Sequence, residues 1–419
     1  MRISRKSFAV AIASAGALAL TSCAAATPTD DGAPVSITFA NWEFTNGEAG
    51  ERLWEQVADY TGPDGNVTLV KEATAFTSFS DKLNTELGAG GGPDVFLVQD
   101  AQFNSLARAG LLEPLDDVYE RVADGLNASN DDAVIDGVRY GLNWERPNYA
   151  MLYNAALLEQ AQVEVPTTFQ ELLQAAEAIQ SATGAQGFAG RTSTTELDGW
   201  ALEMGNWVFG HGGALAVDGE VTLNSAENVA ALESFAELYR SGAMTVGDDS
   251  STFRTKFGQG QIGFMFDNAG AIVSMASNAD PSISSQFHAA PLPFETPTVV
   301  ANPTWIVVNP HGKHIEAAKD FVEWVVNPTA QQRISSVQGA IRFATDVELT
   351  DEFIAANPWG LELLALSDDS RTTVVPGFEE DTKALWREFL TAAEAVLVGG
   401  ADVQDALDQA QTIVEQDLG

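Results

Sequence analysis

The chain has 419 residues, with 21 Lys and Arg against 59 Asp and Glu, a formal net charge of −38, and 45% of its residues are hydrophobic. That hydrophobic fraction belongs to a folded protein and excludes disorder, while the charge excludes a protein that grips nucleic-acid phosphates or anionic lipid headgroups. Cys23 is the single cysteine, so no disulfide forms within one chain and the fold stands on its core.

In chain order, Arg2, Arg5 and Lys6 precede an apolar run from Phe8 to Leu20, which ends in Leu20-Thr21-Ser22-Cys23. A basic stub with so short an apolar stretch reads as an export signal, not a spanning helix. Its end resembles the lipobox of bacterial lipoproteins. That resemblance implies cleavage before Cys23, diacylation of its thiol, and anchorage on the extracellular face of the plasma membrane. Residues 1–22 are then a lipoprotein signal peptide and 23–34 a tether linker rich in Ala, Thr, Pro, Asp and Gly. No later apolar run is long enough to cross a bilayer.

Strand and helix signals then alternate. Val35–Ala40 reads as a strand, and residues 48–60 as a helix with Leu53 and Val57 a turn apart. Val67–Val70 is a second strand, and Phe79, Leu83 and Leu87 lie at helical spacing before the glycines at 88 and 90–92. Val95–Val98 is apolar throughout, as a strand covered on both faces requires, and residues 101–109 form a helix ended by Gly110. This βαβαβ order predicts a parallel sheet with right-handed crossovers. Further on, Thr168-Phe169-Gln170-Glu171 is a capping box ahead of Leu172, Leu173, Ala176 and Ile179. Ser225 caps another helix, Ile262–Phe266 and Trp305–Val308 are apolar strands, and helices run from His314 to Val325 and through Val403, Leu407, Ala410 and Val414. So many elements exceed one sheet core, and two α/β lobes are the economical arrangement.

Catalytic signatures are missing. The sequence has no Gly-x-Ser-x-Gly elbow, no His-Glu-x-x-His and no Gly-x-Gly-x-x-Gly after a strand, so neither a cofactor nor a metal is expected. His311 and His314 flank Gly312 in a loop-like Asn-Pro-His-Gly context and read as a solvated helix entrance. The acids leave a carboxylate pair for glycoside hydrolysis open, and a secreted glycoside hydrolase is the enzymatic alternative.

Several segments, in order, carry a resemblance. They are Phe79-Ser80-Asp81-Lys82-Leu83 through Gly90-Gly91-Gly92-Pro93-Asp94-Val95, Ala109-Gly110-Leu111-Leu112-Glu113-Pro114-Leu115, Tyr140-Gly141-Leu142-Asn143-Trp144, and Leu152-Tyr153-Asn154. Pro166-Thr167-Thr168-Phe169-Gln170-Glu171-Leu172, Phe257-Gly258-Gln259-Gly260-Gln261-Ile262-Gly263-Phe264 and Ala317-Ala318-Lys319-Asp320-Phe321-Val322 complete the set. Together they resemble the sugar-type solute-binding proteins of bacterial ABC importers, the maltose-binding-protein-like family. The resemblance implies a two-lobed periplasmic-binding-protein-like α/β fold. Each lobe would be a mainly parallel sheet flanked by helices, and crossover hinge segments would join the two. Lobe one is expected over 35–145 and 292–335, lobe two over 146–291 and 340–419.

Sugars present apolar faces and a rim of hydroxyls, so their sites combine aromatic plates with carboxylates, amides or Arg. Trp42 and Glu43 follow the first strand, at a turn where the family places ligand contacts; Trp42 buried under the first helix is the plainer reading. Asp100 follows the third strand and serves equally as a helix cap. Trp144 and Glu145 fall at the first crossover, where a salt bridge of Glu145 with Arg146 is the competing role. By resemblance, Trp200 supplies stacking from lobe two, Asp267 and Asn268 form a contact turn, and Trp305 follows the second crossover. Arg342 stands near the third crossover, where the family often has Pro. Phe378 and Trp386 match the late loop and helix start that close the cleft, and Trp207 reads as core. The expectation is a monomeric, lipid-anchored protein, not an enzyme, that captures a carbohydrate, an oligosaccharide by its number of aromatics, and delivers it to an ABC permease. Polyamine sites also join aromatics with acids, so a polyamine is the alternative ligand.

Overall fold

The computed structural model describes residues 34–418 apart from 245, 297 and 367–369; Cys23 and the signal segment lie outside the described residues. The described chain opens with β1 (Val35–Ala40), α1 (Gly47–Glu55), β2 (Val67–Glu72), α2 (Phe76–Gly88), β3 (Val95–Gln99), α3 (Asp100–Arg108) and α4 (Asp116–Val122). Two strands then stand almost end to end, β4 (Leu142–Glu145) and β5 (Tyr149–Asn154). They are followed by α5 (Phe169–Thr183), β6 (Gln186–Ala189), α6 (Leu197–Gly210), α7 (Ala226–Arg240), α8 (Ser250–Gly258), β7 (Ile262–Asn268) and β8 (Phe287–Ala290). The last third holds β9 (Thr304–Val308), α9 (Ile315–Val325), α10 (Pro328–Gln338), α11 (Trp359–Leu366), α12 (Thr382–Leu397) and α13 (Val403–Leu418).

The strands form two main sheets, in the orders β2-β1-β3-β9-β4 and β8-β5-β7-β6. In the first, β2, β1 and β3 are parallel, as the βαβαβ pattern predicts, and β9 and β4 add antiparallel pairs. The second departs from the expected mainly parallel sheet. β6 and β7 are parallel, but β5 runs antiparallel to both β7 and β8. The reason is geometric: β5 continues from β4 after only three residues, so it enters the second sheet at the end where β7 finishes, pairing Tyr149 with Asn268.

Local signals explain the helices. The Thr168 hydroxyl accepts the Glu171 N–H and the Glu171 carboxylate returns to the Thr168 N–H, a complete capping box; Gly184 at φ 76° stops the same helix. In α9, Ala318, Phe321, Val322 and Val325 are buried at 3.6-residue spacing. Phe321 meets Phe39 of β1 edge-on at 5.2 Å between ring centres. In the second lobe, Trp207 of α6 lies 5.2 Å from Phe266 of β7, which is 5.1 Å from Phe188 of β6. Trp207 is wholly buried, the core role its helical context predicts.

Strand β6 runs against the backbone of α5 so closely that only a hydrogen fits at Gly187. A Cβ there would sit 2.2 Å from the Ala176 carbonyl oxygen. Gly187→Ala is expected to destabilise the protein by about 1–3 kcal/mol, the cost of overpacking a backbone contact. Gly88→Ala, at the open end of α2 where nothing lies within 4 Å, leaves stability near the wild-type value. Urea unfolding of both variants checks the pair, and equal midpoints would refute the close approach.

Candidate functional site

Both sheets present the ends of their strands to the same seam. Glu145 closes β4 opposite Thr304, which pairs across β9 with Gln99 at the end of β3. On the far side, Tyr149 opens β5 opposite Asn268 at the end of β7. The segments between are stitched by backbone bonds: Arg146 N–H to Arg342 O (2.7 Å), Asn302 N–H to Pro147 O (3.0 Å), and Ala301 N–H to Arg371 O (2.8 Å). Two turns after strands are tied to the same seam. Asp100 donates its N–H to Pro303 O (3.1 Å) and Ala269 donates to Asn148 O (3.2 Å). Ligands of open α/β sheets bind outside the carboxyl ends of the strands, and here those ends converge from two sheets.

On the first lobe, Trp42 and Glu43 begin a short 3-10 turn capped by Asn41. Trp42 is partly exposed and lies edge-on to Phe76 (5.7 Å) and Phe79 (5.1 Å). Phe76, the first residue of α2, is 54% exposed, and so large an open ring at a strand-end turn is the aromatic surface that the sequence reading missed. Its signal was visible, an aromatic placed directly after the β2 turn, but helical periodicity starting at Phe79 masked it.

Glu43, which follows Trp42 in the chain, and Glu145 are two carboxylates linked through one side chain. Glu43 accepts from Trp144 Nε1 (2.9 Å), Asn41 Nδ2 (3.1 Å) and Gln338 Nε2 (2.7 Å). The same Gln338 nitrogen reaches Glu145 Oε2 at 3.2 Å. Burial pushes the Glu145 carboxyl well above the ordinary range, and the neighbouring Glu43 adds to it. Glu43 is raised as well, by burial against its three donors. Arg146 does not neutralise Glu145. Its guanidinium pairs with Asp132 at 2.8 Å. Trp144 is fully buried against Phe39, so it supports Glu43 and presents no open face.

Asp100 starts α3 without capping it and accepts the Trp305 indole N–H at 3.0 Å. Thr372 also bonds to it, and burial raises its pKa. Trp305 is itself wholly buried, with its ring 5.4 Å from Phe103. On the second lobe, Asp267 is buried at the end of β7 in a two-pronged pair with Arg254 of α8 (2.6 and 2.8 Å), and Asn268 caps the following helix. Next to it, Arg191 follows β6 and pairs with Glu203 at 3.0 Å, both buried. Burial pushes the Glu203 carboxyl up to about 7 against the pull of Arg191. Arg191, Glu203 and Arg254 were absent from the sequence reading because no local pattern marks a partner twelve or thirteen residues away. Trp200 is fully buried in α6 with its indole N–H unpaired among the described residues. Gly199 beside it leaves room for the Arg191 guanidinium, whose Nε a Cβ would meet at 2.8 Å. Arg342 forms the β-bridge to Arg146. Phe378 is half-buried against the second-lobe core, and Trp386 is buried, donating to Thr373 O at 2.8 Å. His311 and His314 are exposed before α9. At the rim, Arg108 of α3 approaches Glu379 and Glu380, which precede α12, at 3.8 and 3.9 Å.

Two sheets whose strand ends meet along crossover segments, with aromatics and paired polar groups at those ends, define a two-lobed binding protein of the periplasmic type. The chain belongs to the bacterial extracellular solute-binding protein family, whose pattern it matches over residues 55–358. Solved structures share the fold. The GacH receptor of Streptomyces glaucescens, described unliganded and with acarbose, is 21% identical with a TM-score of 0.77, covering 91% of this chain and 98% of that one. A cyclic α-maltosyl-1,6-maltose binding protein of Arthrobacter globiformis is 21% identical at a TM-score of 0.73, covering 90% and 97%. UgpB of Mycobacterium tuberculosis, in complex with glycerophosphocholine, is 20% identical at 0.75, covering 92% and 99%. Among the described residues no helix is long and apolar enough to cross a membrane.

The carboxylates at the seam make a pH signature. An acid whose pKa is raised on folding keeps a proton that the unfolded chain releases, so stability falls as pH rises from the unfolded value of 4.5 towards the folded one. Glu145→Gln removes one member of the pair while keeping an acceptor for Gln338. Its melting temperature is expected to fall less steeply than wild type between pH 4.5 and 8, and parallel curves would refute the coupling.

Proposed function

We propose that the protein captures an extracellular carbohydrate, an oligosaccharide, between its lobes and delivers it to the permease of an ABC importer. The observation that carries this reading is the open Phe76–Trp42 ring surface at the strand ends, set beside side chains that donate and accept hydrogen bonds. A sugar's C–H face needs the first and its hydroxyls the second. Trp42, Phe76, Glu43, Glu145 and Asp100 form the first-lobe contacts in this reading. Arg191, Asn268 and Phe378 form the second, with Arg342 at the crossover; Trp200 and Asp267 are wholly buried and support the site from behind. The lobes themselves are proposed to divide at residues 145/146, near 292–303 and near 340. Closure is driven by ligand, because contacts from both lobes exist only in the closed form. Cys23 is proposed as the lipidated anchor of a monomer.

The acids Glu43, Glu145 and Asp100 near the same seam favour a second reading, a polyamine ligand, and the same titrations decide between them. Calorimetry against a panel of mono- and oligosaccharides and diamines is expected to show stoichiometric binding of an oligosaccharide without turnover. Trp42→Ala weakens it about tenfold, roughly 1.4 kcal/mol of lost stacking. Heat from a diamine alone would reverse the choice, and continuous heat from sugar cleavage would make the protein a glycosidase. Cys23→Ala is expected to shift the protein from the membrane fraction to the medium, read by fractionation of the native host.

A further inference from the structure

Helix α8 packs along β7, the strand it leads into, so its first turns stand at that strand's carboxyl end, where the second sheet meets the seam. The start of this helix is tied down. Asp249 caps it by accepting the Thr252 N–H at 2.7 Å, and Glu196, between β6 and α6, accepts the Ser250 N–H at 3.0 Å. One turn on, Arg254 lays the Nε and Nη2 edge of its guanidinium on Asp267, at 2.6 and 2.8 Å. Asp267 is one residue from the Tyr149–Asn268 pair at the seam. It is wholly buried, and its Oδ1 also accepts the Asn268 N–H at 2.9 Å. The guanidinium is thereby fixed from behind.

The outer edge of the same group is unused. Nη1 has no hydrogen bond or ion pair among the described residues, and the Arg254 side chain is 31% exposed. The other paired guanidiniums at the seam are closed in, with the side chains of Arg146 and Arg191 8% and 5% exposed. A guanidinium carries five N–H donors in a rigid planar fork and no acceptor. Asp267 takes two of them. Of the rest, one on Nη1 and one on Nη2 point outwards side by side, a fork that fits two neighbouring acceptor oxygens. Asp267 already balances the charge, and the chain carries a net −38, so an anionic group gains little at this edge. An ammonium would meet a cation and find no acceptor. Neutral oxygens remain, and adjacent hydroxyls on a sugar ring present two of them together.

We propose that Arg254 grips a vicinal hydroxyl pair of the ligand from the second lobe and so selects a neutral sugar unit there, an inference that rests on the carbohydrate reading. Binding is measured on an array of immobilised gluco-, galacto-, manno- and xylo-oligosaccharides and of counterparts bearing a uronic acid, with the melting temperature of each variant alongside. Arg254→Lys keeps a cation for Asp267 but has no fork. It is expected to melt near the wild-type temperature and to bind the neutral glycans that wild type binds at least tenfold more weakly. Arg254→Met combined with Asp267→Asn removes both charges, leaves no buried carboxylate alone, and is expected to lose as much. Arg240→Lys, at an exposed arginine ending α7, leaves binding unchanged. Asp267→Asn alone unbalances the guanidinium charge and is expected to raise the signal of uronic-acid glycans relative to their neutral counterparts, a change that a purely structural ion pair does not produce. The proposal is overturned if folded Arg254 variants bind every glycan as wild type does, or if wild type prefers uronic-acid glycans to neutral ones. If wild type binds no glycan at all, the carbohydrate reading itself fails and the role of Arg254 falls with it.

Discussion

The centre of this protein depends on backbone hydrogen bonds exchanged along the seam between its two sheets. Strands that stop at a lobe boundary leave N–H and C=O groups that must be paired or hydrated. Here the crossover segments pair with one another. Arg146 meets Arg342, Asn148 meets Ala301, and the Val299–Val300 pair meets Ser370–Arg371. These pairs fix the ends of both sheets against each other, and a buried cluster with Phe39 and Ile306 of one sheet and Leu152 and Met265 of the other backs them.

Three arginines stand at or near the seam, each on an acid. Against 59 acids the chain has only 21 Lys and Arg, yet Arg146 and Arg191 are buried, and Arg254 is held on a wholly buried Asp267. Buried charges are tolerated only when paired, so each guanidinium is placed where an acid already stands. Glu145 is the exception: its nearest charged neighbour is another carboxylate, and a neutral amide, Gln338, bridges the two. Burial, with Glu43 beside it, raises the Glu145 carboxyl well above its ordinary range, so the pair keeps a proton more readily than exposed acids do.

Much of the architecture was legible in the chain because its causes are local. The capping box at Thr168, the Ser225 cap, the apolar 95–98 run and the spacing of Phe321, Val322 and Val325 each depend on neighbours a few residues away. The antiparallel entry of β5 was not legible, since it follows from where β4 ends in space. The candidate site divided in the same way. Turns after strands located Trp42, Glu43, Asp100 and Asp267 as polar or aromatic strand-end residues. Trp144, Trp305 and Trp386 look alike in sequence, but each is buried and spends its indole N–H on Glu43, Asp100 or Thr373.

By itself, the sequence determined the alternation of strands and helices, the need for two cores, and the acidic, cysteine-poor character of the folded part. These properties are sums over residues or patterns within one turn of helix. Only the tertiary structure decided which of many acids face one another, that Gln338 bridges two of them from the far end of α10, and that Phe76 is left open while most tryptophans are enclosed. Such pairings join residues up to 295 positions apart. They are set by how sheets and helices pack, and no local spacing encodes them.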